Sequence, residues 1–425
     1  MPHHEAAAHV EDLTTFVRAA PTSYHAAHAA AALLREAGFV EQDEREPWDA
    51  GPGGHFLVRD GAVVAWRVPE GAAAGECGFR IVGSHTDSPG FKVKPDPTFS
   101  SAGWQQVGVE VYGGPLLGSW TDRDLGISGR IVTRRGEQHL VRLDHLMRIP
   151  QLAIHLNRQV NSEGLKLDPQ THVQPVYSVR RPDLRLLDLV AEAAGVEAED
   201  IAGHDLFAHT CETPAVFGAD DEFLASGRLD NLASVHASLV AMLNVTAGED
   251  IAVLAAFDHE EIGSGSRSGA CGPILEDVLV RTATALGADP DQRARMFARS
   301  TCISADTGHA VHPNYAGAHD PVHHPLLNEG PLLKVNANQR YASDAVGAAL
   351  WQRVCAVAGV PTQTFVSNNQ VPCGSTIGPL TATRLGICTV DVGVPLLSMH
   401  SAREMAGVDD LYFLTRALQA YWAGV

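Results

Sequence analysis

Two stretches near the start of the chain carry apolar residues at helical spacing. They cover residues 10–19 and 25–37, and Gly38 is a suitable residue to end the second helix. Residues 55–58 and 62–68 then have the pattern of two paired strands. The N-terminal part therefore predicts two helices followed by two strands.

The rest of the chain divides into a β-rich middle and an alternating C-terminal part. After an apolar strand at 79–84, residues 91–227 contain short β-like runs separated by Gly, Pro and charged turns. From residue 228 onward, predicted strands alternate with predicted helices; the strands are 251–257, 302–305, 362–367 and 387–392, and the helices are 232–243, 274–286, 290–297, 343–358 and 408–422. This pattern predicts an α/β fold with a mostly parallel sheet sandwiched by helices. We expect a main domain of residues 1–90 and 228–425, with residues 91–227 inserted as a β-rich domain.

Length and charge narrow the class of protein. A chain of 425 residues is long enough for two domains. The formal net charge of −19 repels nucleic acid and anionic membranes, so neither is expected as a partner. The longest apolar run, at 251–257, is far shorter than the ~20 residues of a membrane span. The first ten residues show no signal peptide, which makes the cytoplasm the expected location.

The cysteines argue against two kinds of site. The chain has seven of them, an odd number, and no C-x-x-C pair. That pattern speaks against a disulfide framework and against a thiolate zinc site.

Residues that bind metals follow the predicted strands of the α/β part. In open α/β sheets, ligands bind outside the carboxyl ends of the strands, so residues far apart in sequence can meet there. The residues in question are His85, Asp230, Glu260, Glu261, Asp306 and His400.

Imidazole and carboxylate ligands suit zinc, cobalt or manganese. A two-metal site needs one bridging carboxylate, plus one His and one carboxylate for each ion. Five of the six residues meet that requirement, and one of the adjacent glutamates remains as a general base. Taken singly, each residue is also compatible with a cap or turn, and the Glu260–Glu261 pair with an acidic first turn of a helix.

Five motifs contain these residues and resemble those of the aspartyl aminopeptidase family of metallopeptidases. They are GSHTDSPG (83–90), RLDN (228–231), DHEEIGS (258–264), SADTGHA (304–310) and LSMHSARE (397–404). The segments SYHA (23–26) and NANQRYASD (336–344) are similar as well, so the resemblance covers nearly the whole chain.

The resemblance implies a role for each residue of the metal motifs. Asp230 would bridge two ions, His85 and Asp306 would complete one site, and Glu261 and His400 would complete the other. Glu260 would be the general base. Asp87 would hydrogen-bond the far nitrogen of the His85 imidazole and fix its tautomer.

Five further residues are candidates for substrate binding. Lys334 would pair with an acidic substrate side chain, or is a surface lysine. Gly374 and Ser375 lie in a Gly- and Pro-containing loop at 371–379, which would offer backbone N–H groups or is a plain tight turn. His155 would reach a neighbouring subunit's active site, or is a core residue of a helix. His312 would lie near the metals, or makes a structural hydrogen bond.

The resemblance thus implies a zinc-peptidase-like enzyme with two divalent ions, zinc first, and cobalt or manganese as alternatives. It would release N-terminal residues, preferably Asp or Glu, from peptides with a free N-terminus. It would form a homo-oligomer, a tetrahedral dodecamer built from dimers through the inserted dimerisation domain.

Three other functions remain open from the sequence. The ligand set fits a broad leucine-type aminopeptidase or a deacylase of the same fold equally well. A metal-stabilised scaffold without turnover is a third alternative, against which the unliganded Glu260 argues. An H-E-x-x-H zinc motif and a G-x-S-x-G serine elbow are both missing from the sequence.

Overall fold

The computed structural model describes residues 4–49, 51–245 and 248–425. The α-helices are α1 (His4–Ala19), α2 (Ser23–Glu36), α3 (Val160–Glu163), α4 (Leu186–Ala194), α5 (Leu229–Asn244), α6 (Ile274–Ala285), α7 (Pro290–Arg299), α8 (Ala345–Ala358), α9 (Ile377–Leu385) and α10 (Val408–Trp422). Short 3₁₀ turns cover Leu117–Trp120, Ala198–Asp200, Glu260–Ile262 and Pro313–Ala318.

The strands come in three groups along the chain. The first is β1 (Val40–Glu41), β2 (Gly53–Arg59), β3 (Ala62–Val68) and β4 (Phe79–His85). The second is β5 (Gly90–Ser101), β6 (Trp104–Tyr112), β7 (Leu125–Thr133), β8 (Gln138–Met147), β9 (Val176–Val179), β10 (Ile201–Thr210), β11 (Ala215–Phe217) and β12 (Phe223–Ser226). The third is β13 (Ile251–Phe257), β14 (Thr301–Ala305), β15 (Gly308–His309), β16 (Leu332–Val335), β17 (Gln363–Val366), β18 (Cys388–Gly393), β19 (Pro395–Leu397) and β20 (Glu404–Gly407).

The largest sheet confirms the predicted α/β fold. Its strand order is β1-β2-β3-β13-β4-β14-β18-β16-β17. The four central strands β13, β4, β14 and β18 run parallel to one another. Antiparallel pairs occur between β2 and β3, β3 and β13, and β16 and β18. The sheet is therefore mostly parallel, as the alternating strand and helix pattern predicts.

Strand β13 shows why the centre of this sheet reads as a continuous apolar run. All of its residues are buried. Ala252, Leu254 and Ala256 pack into the core that contains α1, α2, α5, α8 and α10. The alternate residues, from Ile251 to Phe257, pack into a second core with α6 and α7. Successive side chains of a strand point to opposite faces, so helices cover both faces of the sheet.

A second sheet consists only of strands between residues 90 and 210. Its order is β8-β7-β10-β5-β6-β9, with antiparallel neighbours. Its own apolar core includes Phe91, Ile127 and Leu206, and helix α4 contributes Leu186 and Val190. The inserted segment therefore has a sheet and a core of its own, although α4 was not part of the sequence prediction.

A third, mixed sheet connects the end of the inserted segment to the C-terminal part. Strands β11 and β12 lie beside β20, followed by β19 and β15. Residues 215–226, which we assigned to the insert, thus share a sheet with residues 404–407. The domain boundaries themselves stay a prediction.

None of the described helices is long and apolar enough to cross a membrane.

Candidate metal centre

The parallel strands bring the metal-motif residues to one edge of the main sheet. His85 is the last residue of β4, Asp306 follows its neighbour β14, and Glu260 and Glu261 lie in the turn after β13 on the other side of β4. Asp230 lies in the first turn of α5, at the start of that helix. His400 lies in the loop between β19 and β20, where its φ of +65° places it in the left-handed region.

The distances divide these residues into two groups that share Asp230. Nε2 of His85 lies 3.4 Å from Oδ1 of Asp230 and 3.6 Å from Oδ1 of Asp306. Nε2 of His400 lies 3.3 Å from Oδ2 of Asp230 and 3.5 Å from Oε2 of Glu261. Each oxygen of the Asp230 carboxylate therefore faces a different imidazole.

The donor atoms fit divalent cations. Oδ1 of Asp230 and Oε1 of Glu261 are buried and accept no hydrogen bond from the described residues. Buried carboxylate oxygens without a partner are costly unless a cation compensates their charge. The ligand types, imidazole nitrogen and carboxylate oxygen, are those that zinc and its neighbours prefer.

The pKa values of the two imidazoles report the excess of negative charge. Burial alone would lower the pKa of His85, but the carboxylates of Asp230, Asp306 and Asp87 raise it well above the ordinary value. In the same way, Asp230 outweighs burial and raises the pKa of His400 to about 9. A divalent ion bound here would compete with protons for these nitrogens.

Glu260 differs from the ligands in its position. Its Oε2 lies 4.0 Å from Nε2 of His85, farther than either Asp230 or Asp306. Burial raises its pKa to about 7, and the nearby carboxylates of Asp306 and Asp230 add to that effect, although His85 opposes it. A carboxyl with such a pKa can exchange a proton near neutral pH.

Asp87 connects the metal motifs more widely than the sequence indicates. Nδ1 of His85 lies 3.0 Å from the backbone carbonyl of Asp87 and 3.4 Å from its carboxylate. The carboxylate oxygens instead accept the backbone N–H groups of Glu260 and Glu261, at 3.0 and 3.1 Å. Asp87 therefore fixes the turn that carries both glutamates.

Glu404 is a site residue to which sequence reasoning gave no role. Its Oε2 accepts the N–H of Asp230 at 3.0 Å, and its Oε1 accepts the N–H of His400 at 2.8 Å. The side chain is buried. One carboxylate thus holds the backbones of two metal-motif residues that are far apart in sequence. Its position in the 397–404 motif was the only available signal.

A cleft of about 460 Å³ opens beside the metal-motif residues. Lys334, Gly374 and Ser375 line it, together with His309, Tyr341 and Thr376. Lys334 is only 2% exposed, so it is not a surface lysine. Its Nζ lies 3.6 Å from Oδ2 of Asp306 and 5.2 Å from the ring centre of Tyr341.

The 371–379 loop is shorter than the sequence indicates. The hydroxyl of Thr376 accepts the N–H of Gly378 and caps helix α9, which begins at Ile377. Behind the loop, the buried Asp391 accepts the Thr376 hydroxyl and the N–H of Ala342. The loop that carries Gly374 and Ser375 is therefore anchored to strand β18.

Two predicted residues lie apart from the cleft. His155 occupies an exposed turn of the insert rather than a helix or a core. His312 caps a 3₁₀ turn: its Nδ1 accepts the N–H of Asn314, and its own N–H donates to His319. The structure thus gives His312 the structural hydrogen bond that was one of its two interpretations.

Another group of possible ligands, Asp144, His209 and Cys211, lies in the insert. Arg142 donates to both carboxylate oxygens of Asp144, and Nε2 of His209 bonds the same carboxylate at 2.8 Å. The guanidinium already neutralises the only acidic member, so the group is an ion-pair cluster rather than a cation site.

Comparison with known proteins gives consistent results for the whole chain. The family described as "Aminopeptidase I zinc metalloprotease (M18)" matches residues 16–422. A relative from Streptomyces coelicolor, "Probable M18 family aminopeptidase 2", is 54% identical over 422 residues. The aligned region covers 97% of this chain and 97% of the relative.

Solved structures agree with this. A chain of the Ape4 and Nbr1 complex superposes with a TM-score of 0.95 at 34% identity, covering 100% of this chain and 87% of the other. The S. cerevisiae mApe1 dodecamer gives 0.87 at 27% identity, covering 99% and 98%. With the family matched over nearly the entire chain and the metal-motif residues gathered at one edge of the main sheet, the protein belongs to the M18 family of zinc aminopeptidases.

Proposed function

We propose that this protein is a dinuclear-metal aminopeptidase that removes N-terminal residues, preferably Asp or Glu, from peptides. The observation that carries the proposal is the Asp230 carboxylate, whose two oxygens face His85 at 3.4 Å and His400 at 3.3 Å. A carboxylate shared between two imidazole–carboxylate groups is the arrangement that a two-metal site requires.

In this proposal His85 and Asp306 would hold one ion, Glu261 and His400 would hold the other, and Asp230 would be shared between the two. Zinc is the first choice, and cobalt or manganese fit the same ligands. Bound divalent ions would polarise the scissile carbonyl and lower the pKa of the attacking water.

Glu260 moves the proton. As a partly buried carboxylate that stands back from the ligand groups, it accepts a proton from the attacking water and delivers it to the nitrogen of the leaving amine. Its pKa of about 7 suits both directions of that transfer. Asp87 supports it by accepting the Glu260 N–H at 3.0 Å, which holds the backbone of the turn that carries Glu260.

Lys334 supports the acidic preference. Among the described residues that line the cleft, Lys334 is the one lysine or arginine, and it is buried. An acidic substrate side chain would form a charge-assisted contact with it in a place of low solvent exposure. The backbone N–H groups of Gly374 and Ser375, at the rim of the same cleft, would bind the substrate backbone.

The test is release of the N-terminal residue from Asp-X and Leu-X dipeptides, each with and without a chelator. We expect fast cleavage of Asp-X, slow cleavage of Leu-X, and loss of both after chelation. Cleavage of Leu-X alone would keep the two-metal chemistry and refute the role of Lys334. No cleavage of either peptide by the zinc-loaded protein would refute the enzymatic proposal.

We further propose a homo-oligomer, a dodecamer built from dimers through the inserted domain of residues 91–227. The family relative described as an mApe1 dodecamer supports this. The turn around His155 supports it as well, because Leu152 and Leu156 are 62% and 74% exposed there. Clusters of large apolar side chains rarely face water, so their exposure favours a contact with another subunit. From this exposed turn, His155 would reach a neighbouring subunit's active site.

Sedimentation tests the assembly. A dodecamer of the 45.2 kDa chain has a mass of about 540 kDa. A monomer at micromolar concentration would refute the proposal. The cytoplasmic location stays a prediction from the sequence.

A further inference from the structure

A short segment of the inserted sheet reaches back to the metal centre of its own subunit. It covers residues 112–119, from the end of β6 into the following 3₁₀ turn, and we call it the 112–119 segment. Its backbone N–H at Leu116 donates to the carbonyl of His400 at 2.9 Å, and Ser119 Oγ accepts the N–H of Ala402 at 2.8 Å. The segment is thus attached to the loop that carries a proposed metal ligand.

The hydroxyl of Tyr112 is the first point at which this segment meets the site. Tyr112 is 7% exposed, and its hydroxyl donates to Oδ2 of Asp87 at 2.8 Å. The same oxygen accepts the Glu261 N–H, while Oδ1 accepts the Glu260 N–H. A carboxylate with three donors around it has one defined orientation, and the hydroxyl is the donor that comes from the insert.

The position of the Tyr112 ring is fixed within the inserted sheet. Its ring packs edge-to-face against Phe207 of β10, with centroids 5.3 Å apart. The hydroxyl is therefore delivered by the insert's own packing, and its position depends on the position of that sheet.

The Gly114 carbonyl is the second point of contact. It lies 3.0 Å from Nδ1 of His400, so it accepts the Nδ1 proton and leaves Nε2 free to face Asp230 and Glu261. Second partners of this kind fix the tautomer and ring orientation of metal-binding histidines. The neighbouring Gly113 has a φ of +67°, and a Cβ there would lie 3.1 Å from Cβ of Glu261. The close approach therefore requires a glycine.

From these contacts we propose that the 112–119 segment is part of the metal centre, and that Tyr112 is a positioning residue that acts through Asp87 on Glu260 and Glu261. The inference rests on the proposed two-metal function. It gives the inserted domain a role within its own subunit, separate from any subunit contacts. The competing explanation is that Tyr112 only fills the core of the insert.

Tyr112→Phe tests the proposal because it removes the hydroxyl and leaves the ring. Tyr177→Phe is the matched control: Tyr177 lies in β9 of the same sheet, and its hydroxyl donates to the carbonyl of Leu184 at 2.7 Å. Zinc affinity is measured by competition with a chromophoric chelator, and kcat and KM are measured with Asp-X. Thermal unfolding of the metal-free protein reports purely structural damage.

We expect Tyr112→Phe to weaken zinc binding about tenfold, within the range for second partners of metal ligands, and to lower kcat more than it changes KM. Tyr177→Phe should bind zinc like the unmodified protein. In an Asp87→Ala background, Tyr112→Phe should have no further effect on zinc affinity, because the acceptor is gone.

Two results would overturn the inference. One is that Tyr112→Phe binds zinc as tightly as Tyr177→Phe does. This result would count against the inference even if Tyr112→Phe made the metal-free protein less stable. The other is an undiminished effect of Tyr112→Phe in the Asp87→Ala background. Both are binding measurements, so they remain decisive even if neither Asp-X nor Leu-X is cleaved and the proposed function fails.

Discussion

Replacing Lys334 with methionine tests the origin of the proposed acidic preference. The side chain is 2% exposed and lies in the cleft with its Nζ 3.6 Å from Asp306. Methionine has a similar length and suits an apolar surrounding such as the ring of Tyr341. Lys334→Met therefore removes the positive charge with little change in the shape of the cleft.

The expected loss of selectivity follows from the contact between the substrate carboxylate and Lys334 that would be lost. A hydrogen bond to a charged group contributes about 1.5–3 kcal/mol. Since about 1.4 kcal/mol corresponds to a tenfold change, the ratio of kcat/KM for Asp-X over Leu-X should fall about 10- to 150-fold. The decrease should come from Asp-X, because an apolar leucine side chain gains nothing from the ammonium group.

The assay is the kcat/KM of both peptides for Lys334→Met, with zinc content measured in parallel because Asp306 is adjacent. Lys92→Met is the control: Lys92 forms an ion pair with Asp205 at 2.9 Å in the insert and does not line the cleft. An Asp-to-Leu ratio within twofold of the unmodified protein, with zinc retained, would refute the role of Lys334 in selectivity.

Three further predictions concern the general base, the backbone anchor and acid stability. Glu260→Gln should lower kcat by about 10²- to 10⁴-fold with zinc content unchanged by mass spectrometry, and a smaller loss would exclude it as the base. Glu404→Gln keeps one acceptor for two N–H groups, so zinc affinity should fall about tenfold in a chelator competition, and an unchanged affinity would contradict its anchoring role. Burial, together with the nearby His236, lowers the pKa of His9 to about 3 in the folded protein. Below the ordinary pKa of 6.5, the unfolded chain therefore binds a proton at His9 that the folded protein does not. The stability that neutral His9 contributes is complete above that value and is lost toward pH 3 by about 1.4 kcal/mol per pH unit. His9→Gln should therefore reduce the decrease in melting temperature between pH 7 and pH 5, and an unchanged decrease would refute this explanation.

Periodicity located most elements of the main domain because their patterns are strong. Strand β13 is apolar throughout and was predicted with its bounds, as was helix α10. The elements that were missed have weak patterns. Strand β16 has four residues with Lys334 among them, and a buried lysine is not expected in a core strand.

The gathering of the metal-motif residues could be predicted for a related reason. Its main residues follow strands whose apolar patterns are clear, so the sequence indicates where they gather. The contacts that hold them could not be predicted, since they join distant parts of the chain through backbone groups. Glu404 bonds the N–H of Asp230, 174 residues away, and Gly114 bonds His400, 286 residues away. Neither contact has a local sequence pattern.

The order of the metal-motif residues along the chain has a consequence for biosynthesis. Residues 85, 230, 260, 261 and 306 leave the ribosome before residue 400, and the strand that holds the last loop, β20, must pair with β12 of the earlier chain. Contacts of such long sequence separation form late in folding. A nascent chain that lacks residues 400–404 therefore lacks one residue of the proposed centre, and its Asp230 has no Glu404 carboxylate to accept the backbone N–H. We expect the proposed centre to be completed only after this loop has been synthesised and β20 has paired with β12.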